Sequence, residues 1–369
     1  MARRVGILTG GGDAPGLNAV LRGFVLAAAR HGDLEVVGIQ DAFNGLMDDP
    51  RRCVPLDPKA CRGLLGRGGT ILGTTNRGDP FSFPGPNGTR IDRSAALQAG
   101  VKAEGLEGLV CIGGDGSQAI ALRVMDALGI PMIGVPKTID NDLDATDVTF
   151  GFYTAVDRCA EALDRLHTTA ESHDRVLLLE VMGRDAGHIA LYAGLAGGVD
   201  AILLPEIPWD PERIAAKIRR RQAIGRPFSI LVVAEGALPV GQATADLAER
   251  KRRLVAGGGA AAIAQAALAT RIDAEIRTCV LGHLQRGGSP NAFDRILATR
   301  FGVAAAGLVA AGRWGEMVCV RDNHVRSVPL RDAVARHRGV DLADELLAVA
   351  RATGIELGAD LGSAPWEGR

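Results

Sequence analysis

Neither sign of charge dominates this 369-residue chain: 42 Lys and Arg stand against 43 Asp and Glu, a formal net charge of −1 at pH 7. Such a balance gives no global field to attract nucleic acid or an anionic membrane, so neither is an expected partner, although a local anion pocket stays open. Cysteine is sparse and unpatterned. Cys53, Cys61, Cys111, Cys159, Cys279 and Cys319 include no CxxC pair, and several lie within apolar runs, which points to buried free thiols in a reducing compartment ahead of metal binding. No apolar stretch has the length of a membrane span. The amino terminus, Met-Ala-Arg-Arg-Val-Gly-Ile-Leu, enters a strand directly, without the longer apolar segment of a signal peptide. A cytoplasmic protein is expected. There are no heptads and no repeat of fixed period. What remains is a globular composition, long enough for two domains of ordinary size.

Glycine-rich turns stand where short apolar runs end. Residues 130–135 read as a buried parallel strand stopped by Pro136, and the loop Pro136-Lys-Thr-Ile-Asp-Asn-Asp142 follows. One lysine, one threonine hydroxyl and two carboxylates in that loop can bind phosphate, take a proton and help hold a cation. Asp and Asn are also ordinary turn residues, so the loop alone fits plain structure equally well. Residues 5–8 make a strand, then Thr9-Gly-Gly-Gly-Asp-Ala-Pro-Gly16 turns into a helix to about residue 30. Three consecutive glycines let backbone N–H groups approach an anion, and the helix adds its positive end. The order matches neither a P-loop nor a dinucleotide fingerprint, and a tight strand-to-helix turn is the plainer alternative. Residues 109–112 end in Gly113-Gly-Asp-Gly-Ser117 ahead of a helix to about 128; there Asp115 can reach Mg²⁺ while the adjacent backbone faces phosphates.

The rest of the chain repeats the theme. Strand 34–39 precedes an irregular region through 57, then Arg67-Gly-Gly-Thr-Ile-Leu-Gly-Thr-Thr-Asn-Arg77, whose Arg77 can reach a phosphate; 81–89 reads as a surface loop. A helix is expected at about 153–169, and strand 175–180 runs into Met182-Gly-Arg-Asp-Ala-Gly187, where Asp185 can cap the following helix and Arg184 can meet a charged ligand. Strands 201–204 and 230–234 end in Pro205-Glu206 and Glu235-Gly236, whose carboxylates can accept sugar hydroxyls. Between them, 211–222 reads as an amphipathic helix with Arg219 to Arg221 on a solvated face. Residues 257–269 read as helical. Strand 275–281 delivers Gly282-His-Leu-Gln-Arg-Gly-Gly-Ser-Pro290 ahead of a helix from about 293; His283 and Arg286 suit a phosphorylated sugar. After Arg321 one more helix, about 342–353, and a tail of unread role complete the chain.

Taken in order from Gly10 to Pro290, the motifs GGGDAPGLNA, GGDGS, PKTIDND, MGRDAGHIAL, Pro205-Glu206 and LGHLQRGGSP resemble the phosphofructokinase A family. The resemblance implies an α/β fold of two similar three-layer α/β/α domains with mostly parallel sheets and the active site in the cleft between them. The bounds would be 1–140 plus about 255–305 for the phosphoryl donor and 141–254 plus about 306–369 for the sugar phosphate. It implies a homotetramer or homodimer that shares its sugar-phosphate sites across subunits, and Mg-dependent conversion of fructose 6-phosphate to fructose 1,6-bisphosphate in glycolysis. By motif, Asp140 would take the proton from the 1-hydroxyl and Thr138 would touch the same substrate. Asp115 would bind Mg²⁺; Gly11, Arg77, Gly114, Gly116 and Ser117 would hold the donor. Arg184 would stabilise the moving phosphoryl group, and Lys137, also counted among the catalytic residues, would attract phosphate. Met182, Gly183, Glu235, His283 and Arg286 would line the sugar site, with Arg175 and Arg277 reaching the 6-phosphate of a neighbouring subunit.

Two positions thought to sort donors in this family disagree. Gly116 is the residue of ATP users, whereas Lys137 is that of pyrophosphate users, a combination resembling the mixed-substrate (group III) branch. A carboxylate at Gly116 would repel an α-phosphate and none is present, so ATP is the favoured donor and pyrophosphate the alternative. A lipid or NAD kinase shares only the GGDG turn; a non-catalytic sugar-phosphate sensor would be expected to lose Asp115, Asp140 or Arg184, all of which are present. Of the basic residues of the familiar bacterial effector site, Arg22 fits but Leu26 one helical turn later does not, so that regulation is not carried over.

Overall fold

The computed structural model describes residues 3–362. The expected tail extends to 363–369, which lie outside the described residues. In chain order the first elements are β1 (Arg3–Thr9), α1 (Leu17–His31), β2 (Leu34–Ile39), α2 (Asn44–Met47), β3 (Cys53–Leu56), the hairpin β4 (Phe83–Pro84) and β5 (Arg90–Ile91), α3 (Ser94–Ala103), β6 (Gly108–Gly113), α4 (Asp115–Leu128) and β7 (Met132–Pro136). Next come α5 (Phe152–His173), β8 (Val176–Val181), α6 (His188–Ala196), β9 (Ala201–Leu203), α7 (Pro211–Ala223), β10 (Ser229–Ala234), α8 (Leu247–Ala256), α9 (Ala260–Ala269) and β11 (Ile276–Val280). The last are α10 (Ala292–Ala310), β12 (Glu316–Arg321), β13 (His324–Pro329), α11 (Leu330–Ala333) and α12 (Glu345–Ala352).

These elements form two compact α/β units. The first takes the chain up to Ile139, Leu143–Thr154 and Arg286–His337; the second takes Asp140–Asp142, Ala155–Gln285 and the chain from Arg338. The division differs from the expected bounds at three segments and at Asp140. Residues 143–154 go with the first unit, where Asp147 N–H donates to Val320 O of β12 at 2.9 Å and Phe150 packs in its core. Residues 255–285 go with the second unit because β11 pairs with β8. Residues 306–337 go with the first because β12 pairs with β7 and β13 with β12.

In the first unit a seven-stranded sheet runs β13-β12-β7-β6-β1-β2-β3, parallel except at the antiparallel edge strands β3 and β13. Its inner strands are near-continuous apolar runs because both faces are covered. Alternate side chains divide between two cores. Val5, Ile7, Val110, Ile112, Ile133 and Val135 pack with α1 and α10, while Leu8, Leu109, Cys111 and Met132 pack with α2, α3 and α4. This is a three-layer unit. α1 and α10 lie backbone against backbone at Gly23 and Gly302, where no side chain would fit. α1 stops at Gly32, which holds the left-handed conformation of a C-cap.

The second unit has a four-stranded, wholly parallel sheet, β11-β8-β10-β9. α9 packs on β11 and β8, and α6 on β10 and β9. Edge strand β11 buries Ile276 and leaves the rest of its residues exposed. All six cysteines are free: Cys61, Cys111, Cys159 and Cys319 are buried as expected, Cys53 is half-buried, and Cys279 on β11 is exposed. Burial pushes the thiols of Cys111 and Cys159 up to about 12. Among the described residues no helix is long and apolar enough to cross a membrane.

Candidate functional site

The chain leaves β1 for β2 on one side, whereas β6 leads to β7 on the other, although β1 and β6 are neighbours. Such a switch of direction opens a crevice at the carboxyl ends of the two strands. Both glycine turns emerge there and interlock. Gly10 N–H donates to Ile112 O at 2.9 Å and Gly11 N–H to Thr75 O at 3.1 Å, while Thr74 Oγ1 donates to Gly11 O at 2.6 Å. Gly11 adopts φ 78°, and a Cβ there would lie 3.2 Å from the Ser117 hydroxyl and 3.4 Å from Lys137 Nζ. Only glycine brings the two turns this close.

Lys137 is the first residue after β7. Its N–H donates to Gly113 O at 3.0 Å and its ammonium donates to Gly12 O, so the side chain, 3% exposed, lies buried beneath the β1–α1 turn. Arg286 approaches the same turn, its Nη1 donating to Asp13 O at 3.1 Å. Asp115 opens α4, with Gly114 as N-cap, and is half-buried; Gly116 is exposed with open space where a Cβ would stand. Thr138 is buried, its carbonyl accepting from Thr149 Oγ1 at 2.7 Å. Arg77 lies exposed in the loop after Thr75, whose hydroxyl accepts its N–H at 3.0 Å. Gly11, Gly114, Ser117, Lys137 and Arg286 are thus gathered around one crevice of the first unit. One residue of this crevice escaped the sequence reading. Gln118 is fully buried, and its Nε2 donates to Cys111 O, Gly113 O and Val135 O at 3.2, 3.0 and 3.0 Å, pinning the ends of β6 and β7. A glutamine just inside a helix start is visible in sequence, but nothing there reveals its three acceptors.

In the second unit β11, β8 and β10 are adjacent and parallel, so the turns that follow them leave at the same sheet end. Those turns carry His283, the Met182–Arg184 segment and Glu235. Glu235 Oε1 accepts the Gly183 and Arg184 N–H groups at 3.1 and 2.7 Å, and Gln285 Oε1 accepts Met182 N–H at 3.2 Å. Arg184 is exposed and left-handed at φ 54°, and His283 is exposed. Asp140, 4% exposed, belongs to this unit and precedes Asn141, also left-handed at φ 56°. Arg175 Nε donates to Glu275 Oε2 at 2.6 Å and Arg277 pairs with the other oxygen, at the exposed sheet edge.

Two readings change here. Asp185 does not cap α6: Gly187 is the N-cap residue, and Asp185 pairs with Arg250 Nη1 at 3.7 Å. Glu206 is not open to a sugar hydroxyl. Its Oε1 accepts Gly187 N–H at 2.9 Å and Val340 N–H at 2.8 Å, and Oε2 is shut away from solvent without a hydrogen-bond partner. Burial pushes its carboxyl above the usual range.

Within the first unit, glycine turns, a buried lysine and a helix-starting carboxylate gathered at the carboxyl ends of parallel strands define a phosphoryl-binding α/β protein. The chain belongs to the phosphofructokinase family, whose model, described as Phosphofructokinase, matches residues 4–309. It is similar to the ATP-dependent 6-phosphofructokinase 1 of Synechocystis sp., 47% identical over 97% of this chain and 99% of that protein. It is similar to the pyrophosphate–fructose 6-phosphate 1-phosphotransferase of Streptomyces coelicolor, 45% identical over 92% of this chain and 97% of that one. Among solved structures it resembles phosphofructokinase from Saccharomyces cerevisiae, with TM-score 0.74 and 28% identity over 95% of this chain; the chain spans 46% of that yeast chain. The pyrophosphate-dependent phosphofructokinase of Marinobacter aquaeolei, 24% identical with TM-score 0.75 over 92% of this chain and 86% of that one, shares the fold.

Proposed function

We propose that the chain is a 6-phosphofructokinase that transfers the terminal phosphoryl group of ATP to the 1-hydroxyl of fructose 6-phosphate, giving fructose 1,6-bisphosphate. The observation that carries this reading is the crevice of the first unit, where the Lys137 ammonium donates to Gly12 O and a Cβ added at Gly11 would meet Ser117 Oγ at 3.2 Å and Lys137 Nζ at 3.4 Å. Backbone N–H groups and fixed positive charge are what a phosphate chain needs, and phosphoryl transfer is catalysed chiefly by positioning and charge neutralisation. Nearly full-length likeness to relatives named ATP-dependent 6-phosphofructokinase supports the same reaction.

In this reading Gly11, Arg77, Gly114, Gly116 and Ser117 hold the donor, and Lys137 and Arg184 stabilise the charge spreading over the moving phosphoryl group. Asp140 accepts the proton of the sugar 1-hydroxyl as that oxygen attacks. Thr138, Met182, Gly183, Glu235, His283 and Arg286 orient the sugar. Among the described residues no three acidic, histidine or cysteine side chains cluster as a self-sufficient metal site. Asp115 alone at the start of α4 fits Mg²⁺, which takes one or two carboxylates and completes its shell with phosphate oxygens and water. When bound, Mg²⁺ would neutralise donor phosphate charge. Arg175 and Arg277, placed on an exposed sheet edge, suit a 6-phosphate bound by a second copy in a homotetramer or homodimer. Six free thiols fit a cytoplasmic enzyme.

Pyrophosphate is the second reading for the donor, favoured by one observation: a buried ammonium bonded to Gly12 beneath the β1–α1 turn. Open space at Gly116 favours a nucleotide. A coupled assay with fructose 6-phosphate and Mg²⁺, run once with ATP and once with pyrophosphate, tests the activity and the donor together. Turnover with ATP is expected; no turnover with either donor would overturn the reading.

A further inference from the structure

The segment that follows the last strand of the first unit does something neither sequence motifs nor family likeness indicate. Arg338 reaches the loop of Asp140 twice: its backbone N–H donates to Asp142 O at 2.9 Å and its Nε to Asn141 O at 3.2 Å. The carbonyl of Arg338 faces His188 Nε2 at 3.2 Å. A carbonyl only accepts, so Nε2 carries the proton, in keeping with a ring that burial holds neutral. Two residues on, Val340 N–H donates to Glu206 Oε1, the same oxygen that takes Gly187 N–H. Gly187 and His188 begin α6, directly after the turn that carries Arg184. One continuous set of hydrogen bonds within the second unit therefore runs from the residues beside Asp140, through 338–340, to the turn beside Arg184.

Both ends of this brace hold strained backbone. Asn141 and Arg184 occupy the left-handed region at φ 56° and 54°, which residues other than glycine seldom hold, arginine less readily than asparagine, and which persists where the surroundings fix it. Resting on the reading of Asp140 and Arg184 given above, we infer that Arg338 and Glu206 are positioning residues for phosphoryl transfer, holding the proton-accepting loop and the arginine turn in one fixed register.

The test compares full-length Arg338→Met, Glu206→Leu and Glu206→Gln with the parent chain. Arg338→Met keeps the aliphatic stem and the backbone bond to Asp142 but removes the bond to Asn141. A loop displaced by an ångström costs up to about 100-fold in rate, so kcat is expected to fall about 10- to 100-fold, with KM for either substrate changed less than about threefold. Glu206→Leu is expected to behave alike, while Glu206→Gln, which keeps the Oε1 acceptor, restores kcat. Hydrogen exchange in the peptide spanning 138–145 is expected to quicken in Arg338→Met and Glu206→Leu, with β1 and β6 unchanged. Unaltered kcat and exchange in Arg338→Met would overturn the inference, as would parallel losses of kcat, KM and thermal stability. If the parent chain itself turns over no fructose 6-phosphate, the functional reading fails first, and exchange at 138–145 judges the brace alone.

Discussion

The ammonium of Lys137 donates to the carbonyl oxygen of Gly12. The bond joins the residue after β7 to the turn after β1 across the width of β6, and it sets a positive charge beneath the glycine turns. A lysine so buried needs an anionic ligand or strong acceptors nearby, and that need connects the local backbone geometry to the choice of donor.

Gly116 offers the sharper handle on that choice. It is exposed near the start of α4 with open space around it, so Gly116→Asp should change stability by no more than about 0.5 kcal/mol. A carboxylate there would oppose a nucleotide α-phosphate more than a compact pyrophosphate. We expect kcat/KM for ATP to drop about 100-fold and that for pyrophosphate markedly less, an effect of about 2.7 kcal/mol. Equal losses with both donors in steady-state assays would refute it.

Asp140→Asn keeps size and hydrogen-bonding shape but removes the carboxylate proposed to accept the sugar proton. General-base loss is worth about 10²–10⁴ in rate, so kcat should fall by that range with KM for the sugar nearly constant. Turnover within a factor of five of the parent would remove Asp140 from its role.

Gln118→Leu should be the most damaging change in the crevice of the first unit outside the residues proposed to touch substrate. Cys111 O and Val135 O lose the Nε2 donor, while Gly113 O keeps the Lys137 N–H; buried groups left short of a partner cost about 1–3 kcal/mol each, so a loss of about 2–4 kcal/mol is expected in urea unfolding. A loss under about 1 kcal/mol would show that the ends of β6 and β7 hold without it.

His188 makes a pH prediction. Burial pushes its pKa from 6.5 down to about 4. The unfolded chain therefore binds a proton between these values that the folded chain refuses, so stability is present above pH 6.5 and is lost as pH falls towards 4. The full drop is on the order of 3 kcal/mol. In His188→Asn that part of the pH dependence should vanish, as followed by thermal melts from pH 7 to 4; a profile identical to the parent's would contradict it.

Where apolar runs were dense, the sequence spoke clearly. β2 has the bounds expected of it, 34–39, and β6, β8 and β10 lie within a residue or two of theirs. Strands buried on both faces leave that signature, and turns that bind anions need glycine. The elements that went unread are those stabilised from outside. β3, inside a region whose sequence reads as irregular, exists by pairing with β2, and β12 and β13 by extending the sheet at β7. α3 and the polar α8 were not expected either. The sequence puts Arg221 on a solvated face, yet its Nη1 meets Asp200 Oδ1 at 2.7 Å with both side chains largely buried. The site followed the same rule: glycines, Asp115, Asp140 and Glu206 stand out by residue type, but Glu206, like Gln118 and Arg338, bonds main-chain atoms whose identity no motif encodes.

The order of strands also bears on how the protein is made. β7 ends at Pro136, but β12, which pairs with its outer side, starts only at Glu316. While the ribosome produces everything between them, that rim of the nascent sheet offers bare amide and carbonyl groups to any passing strand. Shielding of that rim during synthesis, for example by a chaperone, is therefore expected to raise the yield of folded protein.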